Sequence, residues 1–357
     1  MRILHPTRNR ILLIAGGTLV ALIAVELTLR LAHFINHGVG GDLRSRLDAS
    51  DQASLQDAQG EFSLKGLVEA SARTGTVYEL KADLRGTFLG KSLETNSHGF
   101  RGAETDRDKP AGVFRIAGLG DSVMFGWGVS QGECYLRVLE RKLIGLQDGA
   151  RRFEVLNFAV PGYNTAMEVD VLEHTAIRFD PDLVILHVIS NDVDVPLFMR
   201  EPKRVWMLNR SFLWDLLQDR TGRESSPDSK DVPEQFAYMT GIEGFHAAVE
   251  RLAGITKRAG VPVVVIRGSL HPMQERVVRS CCSEFGFYEI PIAPYTDEYV
   301  RQHGIEDTPA ARQRSLHVSD NDRHPNAVAH TIYAEAILDQ LAEMNIIDFE
   351  SDLKPSP

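Results

Sequence analysis

A serine directly after a short apolar run is the first residue that could do chemistry. Ser122 follows residues 113–119, whose apolar character predicts a buried strand, and residues 133–146 have apolar positions at helical spacing. Such a strand-turn-helix unit would present the Ser122 hydroxyl at its turn, where a neighbouring base could make it a nucleophile. Asp121 and Ser122 are also residue types that cap helices, so this stretch alone leaves a purely structural role open.

Three later groups of residues contain what a nucleophilic serine needs. Gly162 offers a backbone N–H and Asn191 an amide, and such donors can hold the oxyanion of a tetrahedral intermediate. His324 offers an imidazole that can take the serine proton. Simpler interpretations exist as well, because residues 191–192 are typical of a strand-ending turn and residues 324–326 are typical of a helix start.

The order of these groups resembles the SGNH hydrolases, also called the GDSL esterase and lipase superfamily, in which separated blocks supply serine, glycine, asparagine and histidine. The resemblance covers residues 95–345. It implies that Ser122 is the nucleophile and that His324 is the general base. It also implies an oxyanion hole formed by the backbone N–H groups of Ser122 and Gly162 and the side chain of Asn191, with no metal or organic cofactor.

Two positions depart from the pattern of this superfamily. The third block usually reads Gly-x-Asn-Asp, whereas residues 189–192 read Ile-Ser-Asn-Asp. The acid that orients the histidine usually lies three residues before it, where this chain has Asn321. A shorter Asp-x-His spacing is known among related acyl-transferring members. This spacing favours Asp322 as the acid of a Ser-His-Asp triad, with Asp320 as the alternative.

Composition suits one large folded domain and argues against nucleic-acid binding. The chain has 357 residues, of which 43% are hydrophobic and 25% are charged, so it can bury a sizeable core. The net charge of -10 offers no basic face to neutralise phosphates. The three cysteines, Cys134, Cys281 and Cys282, have neither a CxxC pattern nor a metal-binding spacing, and we expect no metal site.

The N-terminus gives the best indication of location. An uncharged apolar run at residues 11–25 follows the basic residues Arg2, Arg8 and Arg10. Because basic residues oppose translocation, we expect a single signal-anchor helix with the catalytic domain in the periplasm or outside the cell. A cleaved signal peptide is the alternative. The anchor and residues 96–101 resemble those of membrane-anchored bacterial SGNH proteins, which implies a bacterial envelope protein.

Strand-like and helical patterns alternate through the rest of the chain. Apolar runs at 153–160, 183–190 and 261–268 predict strands, and residues 166–179 and 242–259 predict helices. This alternation predicts an α/β fold, a three-layer α/β/α sandwich with a mostly parallel sheet, preceded by an N-terminal transmembrane helix. The resemblance implies the flavodoxin-like SGNH version of that fold. The candidate serine, glycine and asparagine would then follow the carboxyl ends of strands, where open sheets bind ligands.

These patterns divide the chain into successive segments. We expect a signal-anchor helix at 1–35, a linker at 36–76, an extended lead-in at 77–110, the SGNH hydrolase domain at 111–346 and a tail at 347–357. Within the hydrolase domain we expect insertions near 193–240 and 268–307. The first fits either a lid or a segment whose aromatic residues pack on the core, and the position of the second before the histidine block suggests a wall beside the site.

The expected function is that of a serine esterase that hydrolyses an acyl ester, on an acylated glycan, a lipid or a small molecule. The first alternative is an O-acyltransferase for an envelope polysaccharide, because hydrolysis and transfer share their first half-reaction. The second is a catalytically silent envelope protein that binds glycan, suggested by the missing carboxylate at Asn321. A dinucleotide-binding enzyme is disfavoured, because Val123 stands where the Gly-x-Gly-x-x-Gly pattern needs glycine. The expected partners are the acylated substrate and, through the N-terminal helix, a membrane.

Overall fold

The computed structural model describes residues 6–37, 60–146, 152–196, 211, 213 and 234–347. Most of the insertion expected near 193–240, the larger part of the linker expected at 36–76 and nearly all of the tail expected at 347–357 lie outside these residues. The description below concerns the described ranges alone.

A long apolar helix precedes the globular part of the chain. This helix, α1, spans Pro6–His37, and its stretch Leu13–Ala32 is long and apolar enough to cross a membrane. Large apolar side chains in this stretch, including Leu13 and Val20, are exposed and take no part in the core. A membrane span and a signal sequence both have this character.

The residues from 60 to 101 form two small antiparallel units that pack on the core. The first consists of helix α2 (Leu64–Leu67) and strands β1 (Val68–Ala70) and β2 (Tyr78–Leu80). The second is the hairpin of β3 (Arg85–Phe88) and β4 (Lys91–Glu94). Buried side chains from this region join the main hydrophobic core, among them Tyr78, Phe88 and Phe100. The expected extended lead-in is therefore packed against the main hydrophobic core along much of its length.

Five parallel strands form the central sheet. In chain order they are β5 (Val113–Leu119), β6 (Arg152–Asn157), β7 (Leu183–Val188), β8 (Val263–Arg267) and β9 (Tyr288–Pro291). Their order across the sheet is β6-β5-β7-β8-β9, the doubly wound order of flavodoxin-like folds. The middle strand β7 is buried at every residue, as expected where helices cover both faces. The predicted parallel sheet is confirmed.

Helices lie on both faces of this sheet. They are α3 (Ser122–Phe125), α4 (Tyr135–Gly145), α5 (Thr165–His174), α6 (Gly241–Ala259), α7 (Pro272–Phe285), α8 (Ala293–Gln302), α9 (Pro309–Leu316) and α10 (Ala327–Glu343). α4 packs against α10, whereas α5 packs against α6 and α6 against α7. Two helical layers therefore enclose the sheet, which confirms the predicted three-layer α/β/α sandwich.

The segment at 268–307 differs from the insertion that the sequence suggests. It contains α7, β9 and α8, and β9 pairs in parallel with β8 at the edge of the sheet. The segment thus continues the regular alternation of the fold. The sequence pattern is weak here because β9 has four residues and only Ile290 among them is buried, too few for a clear apolar run.

Candidate active site

The candidate nucleophile is the first residue of α3, directly after the tight turn that follows β5. Asp121 is the N-cap of α3, and its Oδ1 accepts a hydrogen bond from the Val123 N–H at 3.0 Å. The helix ends after one turn at Gly126, whose φ of 94° lies in the left-handed region that favours glycine. Ser122 is 7% exposed. The turn therefore caps a helix and presents a serine at the end of a strand at the same time.

Three side chains, those of Ser122, His324 and Asp322, form a continuous hydrogen-bonded chain at this turn, here called the relay. Ser122 Oγ lies 2.9 Å from Nε2 of His324, across 202 positions of sequence. The other ring nitrogen of His324, Nδ1, lies 2.6 Å from Asp322 Oδ1. When Nδ1–H donates to the carboxylate, Nε2 is left to accept the serine proton. This is the arrangement that a general base requires.

The position of Asp322 follows from strand geometry. Strands β10 (His317–Ser319) and β11 (Asp322–Pro325) form an antiparallel hairpin after α9. Alternate residues of a strand project to the same face, so Asp322 and His324 lie on one side of β11. The alternative acid, Asp320, lies in the exposed turn of the hairpin. The structure therefore brings Asp322 to the imidazole and leaves Asp320 outside the relay.

The surroundings of the Asp322 carboxyl favour its charged form. Burial alone would raise its pKa, but hydrogen bonds from the backbone N–H and ring of His324 and from the Trp127 indole outweigh burial and lower the pKa below its ordinary value. The His324 N–H donates to Oδ1 at 3.0 Å, and Trp127 Nε1 donates to Oδ2 at 2.9 Å. An ionised carboxylate here can stabilise the imidazolium that forms when His324 takes a proton.

The helix start that the sequence indicates after His324 lies two residues later than the proline suggests. Pro325 ends β11, and α10 begins at Ala327. Asn326 is the N-cap, and its Oδ1 accepts hydrogen bonds from the backbone N–H groups of Val328 and Ala329 at 3.0 and 3.1 Å. Asn326 therefore caps α10, and the imidazole of His324 stays available for the hydroxyl of Ser122.

The candidate oxyanion donors lie in the loops after β6 and β7, the two neighbours of β5. Gly162 has a φ of 80°, which a residue with a side chain would adopt only under strain. Asn191 Nδ2 donates to Asp121 Oδ2 at 3.0 Å, and Ser122 Oγ lies 3.0 Å from the same oxygen. An asparagine amide has two hydrogens, so one remains for an oxyanion beside the nucleophile.

Asp121 has a larger role than the sequence indicates. Its fully buried carboxylate accepts from the turn through Oδ1 and from the Asn191 amide through Oδ2, so it connects the serine turn to the asparagine loop. The Ser122 hydroxyl has two acceptors within reach, Asp121 and His324, for its single proton. The sequence shows Asp121 only as a helix cap, because the Asn191 contact joins residues 70 positions apart.

Two further hydrogen bonds connect the glycine loop to the asparagine loop. Asn164, which caps α5, donates from Nδ2 to the Asp194 carbonyl at 2.9 Å. Thr165 donates from Oγ1 to Asp192 Oδ1 at 2.9 Å. The buried side chains that follow Gly162 thus hold the loop that carries the candidate amide donor, which limits independent movement of the two donors.

A buried carboxyl pair lies behind the asparagine loop. Glu168 on α5 is 1% exposed, and neither of its carboxyl oxygens has a hydrogen-bond partner in the described part of the chain. Burial, followed by the charges of Asp192 and Asp121, raises the pKa of Glu168 well above its ordinary value. Burial also raises the pKa of Asp192 well above its ordinary value. Both shifts favour the protonated, uncharged form of these two carboxyls in the folded protein.

The described ranges contain no group of three or more His, Cys, Asp or Glu side chains placed to hold a metal ion. The three cysteines, Cys134, Cys281 and Cys282, are buried with free thiols.

Sequence reasoning missed two residues at the site, Trp127 and the acidic Glu168. In the sequence Trp127 looks like an ordinary core residue and Glu168 like an exposed carboxylate, and only the folded structure shows their positions.

We expect Glu168→Gln to stabilise the protein increasingly as pH rises. The unfolded chain releases this proton near pH 4.5, whereas the folded protein, in which the pKa of Glu168 is raised, releases it at a higher pH. The stability of the wild type therefore falls as pH rises from 4.5 towards the pKa of the folded state. The glutamine of the variant does not titrate, so its free energy of unfolding lacks this decrease. The decrease is about 1.4 kcal/mol per pH unit over the range in which only the folded state holds the proton. Urea unfolding between about pH 5 and pH 8 measures the difference. Glu243→Gln, exposed on α6, controls for net charge, and a pH-independent difference for Glu168→Gln would contradict the prediction.

Comparison with known proteins places the chain in a family. Residues 119–332, more than half of the chain, match the GDSL-like Lipase/Acylhydrolase family. No curated protein matches the chain. Similar solved structures include an acetylxylan esterase from Geobacillus stearothermophilus, with 17% identity over 64% of this chain and 94% of that chain and a TM-score of 0.43. Another is the lipase/acylhydrolase from Enterococcus faecalis, with 15% identity over 68% of this chain and 99% of that chain and a TM-score of 0.40. The esterase EstA from Pseudoalteromonas sp. is also similar, with 10% identity over 65% of this chain and 98% of that chain and a TM-score of 0.41. By the family match, the chain belongs to the GDSL-like Lipase/Acylhydrolase family and is an enzyme that acts on esters.

Proposed function

We propose that the protein is a serine esterase that uses Ser122, His324 and Asp322 to hydrolyse an acylated glycan, lipid or small ester. The observation that carries this proposal is the relay from Ser122 Oγ through the imidazole to Asp322, with distances of 2.9 and 2.6 Å. A serine hydroxyl becomes a nucleophile when a positioned base accepts its proton, and a carboxylate on the far ring nitrogen selects the required tautomer.

The reaction would proceed through an acyl-enzyme. Ser122 Oγ attacks the acyl carbonyl while His324 Nε2 takes the hydroxyl proton, and the same proton then goes to the leaving alcohol. The N–H groups of Ser122 and Gly162 and the Asn191 amide would hold the oxyanion. Water, activated by His324 in the same way, then releases the acid and restores Ser122.

An O-acyltransferase differs from this esterase only in the second half-reaction, where an alcohol of a polysaccharide would replace water. The Asp-x-His spacing of Asp322 and His324 is the feature that favours an O-acyltransferase. The catalytically silent glycan-binding alternative was suggested by Asn321, and the carboxylate of Asp322 beside His324 weakens that argument. Product analysis with and without glycan acceptors, using short-chain and long-chain p-nitrophenyl esters as donors, distinguishes the two enzymes.

We also propose that α1 anchors the protein in a membrane with the catalytic domain outside the cytoplasm. The apolar stretch Leu13–Ala32 is 20 residues long, which suits the hydrocarbon thickness of a bilayer. The arginines before it favour an inside N-terminus.

Fluorophosphonate labelling tests the nucleophile. Because an activated serine attacks phosphorus as it attacks an acyl carbonyl, we expect one adduct on Ser122 of the wild type, located by peptide mass spectrometry, and none on Ser122→Ala. Ser97→Ala, which changes an exposed serine, should label like the wild type. Labelling at another serine would contradict the assignment.

Two substitutions compare the candidate acids. Asp322→Asn should lower kcat by orders of magnitude with little change in KM, because the imidazole loses the group that selects its tautomer. Asp320→Asn should leave kcat close to that of the wild type, because Asp320 lies in the exposed hairpin turn. The melting temperature of each variant shows whether it is folded. The reverse result, with Asp320→Asn inactive and folded, would make Asp320 the acid.

Protease accessibility tests the orientation. Protease added to intact spheroplasts should digest the catalytic domain, because the basic N-terminus is expected to stay inside. A cytoplasmic marker enzyme, which should survive, controls for membrane integrity. Complete protection of the catalytic domain until detergent is added would show that the orientation is wrong. The mass of the mature chain shows separately whether the N-terminal segment is cleaved.

A further inference from the structure

Trp127 contacts all three members of the candidate relay. Its indole Nε1 donates to Asp322 Oδ2 at 2.9 Å, the oxygen that His324 does not use. The indole also stacks on the imidazole of His324, with ring centroids 4.9 Å apart and an interplanar angle of 22°. Its backbone N–H donates to the Ser122 carbonyl at 3.0 Å. One residue therefore connects the nucleophile turn to both the base and the acid.

Two glycines shape the loop that presents Trp127. Gly126 and Gly128 have φ values of 94° and 71°, both in the left-handed region. A Cβ at Gly128 would lie 2.7 Å from Cγ2 of Val318, on the hairpin that carries the acid. A Cβ at Gly126 would lie 2.8 Å from Nη1 of Arg101. Both glycines thus permit close approaches that a side chain would prevent.

The guanidinium of Arg101 holds this loop in place. Arg101 is 3% exposed, and all five of its N–H donors are used. The acceptors are all uncharged oxygens, namely the carbonyls of Ser92, Phe125, Gly126 and Val129 and the side chain of Gln131. Since three of these carbonyls belong to the residues around Trp127, the loop cannot shift without leaving a buried cation poorly paired.

The hairpin of β3 and β4 also packs against the indole. Phe88 is 5% exposed and meets Trp127 edge to face, with centroids 4.9 Å apart and an interplanar angle of 86°. Arg101 follows the same hairpin in sequence. The residues before the catalytic domain therefore fix Trp127 by packing and by hydrogen bonding, and Trp127 in turn contacts Asp322.

We propose that Trp127 is a positioning residue that acts through Asp322, holding the carboxylate so that Oδ1 faces Nδ1 of His324. The inference rests on the proposed function of the relay. Without the indole N–H, Oδ2 has no donor from this loop and the carboxylate can rotate about its Cβ–Cγ bond. Rotation weakens the bond to Nδ1–H, and the imidazole then spends less time in the tautomer that accepts the serine proton.

Trp127→Phe removes the donor and keeps an aromatic ring over His324. We expect kcat to fall about 10- to 100-fold, the loss typical of one hydrogen bond to a charged group, with KM within about twofold of the wild type. Phe153→Leu is the matched control, because Phe153 is buried at the amino end of β6, away from the carboxyl edge that carries the site. The control should lower the melting temperature and leave kcat near the wild-type value. A Trp127→Phe variant with wild-type kcat would overturn the proposal.

A double-mutant cycle tests whether Trp127 acts through Asp322. In an Asp322→Asn background, Trp127→Phe should lower kcat by less than about threefold, since the carboxylate to be positioned is already absent. A further fall as large as the one in the wild-type background would show an independent role for Trp127, and the proposal would be wrong.

The proton on Nδ1 of His324 gives a signal that does not depend on activity. In the wild type we expect its resonance far downfield, as a short bond to a carboxylate requires, and we expect it to move upfield in Trp127→Phe and to stay in place in Phe153→Leu. An unchanged resonance in Trp127→Phe would overturn the proposal. Failure of the proposed function would be seen separately, as no ester hydrolysis by the wild type or as undiminished turnover in Ser122→Ala. The resonance would still test the contact between Trp127 and Asp322.

Discussion

The parallel sheet brings β6, β5 and β7 side by side with their carboxyl ends at one edge, and the site depends on this arrangement. The loops after these strands carry Gly162, Ser122 and Asn191. Proximity alone would leave the loops free to move. Buried side-chain hydrogen bonds restrict them, from Asp121 to the asparagine loop and from Thr165 to Asp192. The sheet supplies the common edge, and the buried polar contacts supply the precision.

The features that the sequence predicts well are local. β5 begins and ends at the residues that its apolar run indicates, since a buried strand must be apolar at nearly every position. The placement of the serine, glycine and asparagine follows from the carboxyl ends of strands, a rule of parallel sheets. Ser122 Oγ and His324 Nε2 lie within hydrogen-bond distance of each other, and the chemical roles that the resemblance implies for these residues stay predictions.

The features that the sequence does not reveal come from contacts between distant segments. Trp127 reaches Asp322 across 195 positions, and a tryptophan in an apolar stretch looks like any other core residue. Arg101 looks like a surface arginine until its five donors are seen to end on backbone and amide oxygens. The edge strand β9 is too short for a clear pattern, so the segment at 268–307 looks like an insertion. For Trp127 and Arg101 the decisive partners lie outside the local sequence pattern, so no periodicity can indicate them.

The hairpin of β10 and β11 has a consequence for how the gene can vary over time. Because Asp322 and His324 are alternate residues of one strand, their mutual orientation is set by β11 itself and not by the connection before it. The exposed turn at Asp320 can therefore gain or lose residues, or exchange its acids, without separating the pair. A one-residue insertion between Asp322 and His324 would instead turn them to opposite faces of the strand. Insertions and deletions should accumulate in the turn before this pair and be purged between Asp322 and His324.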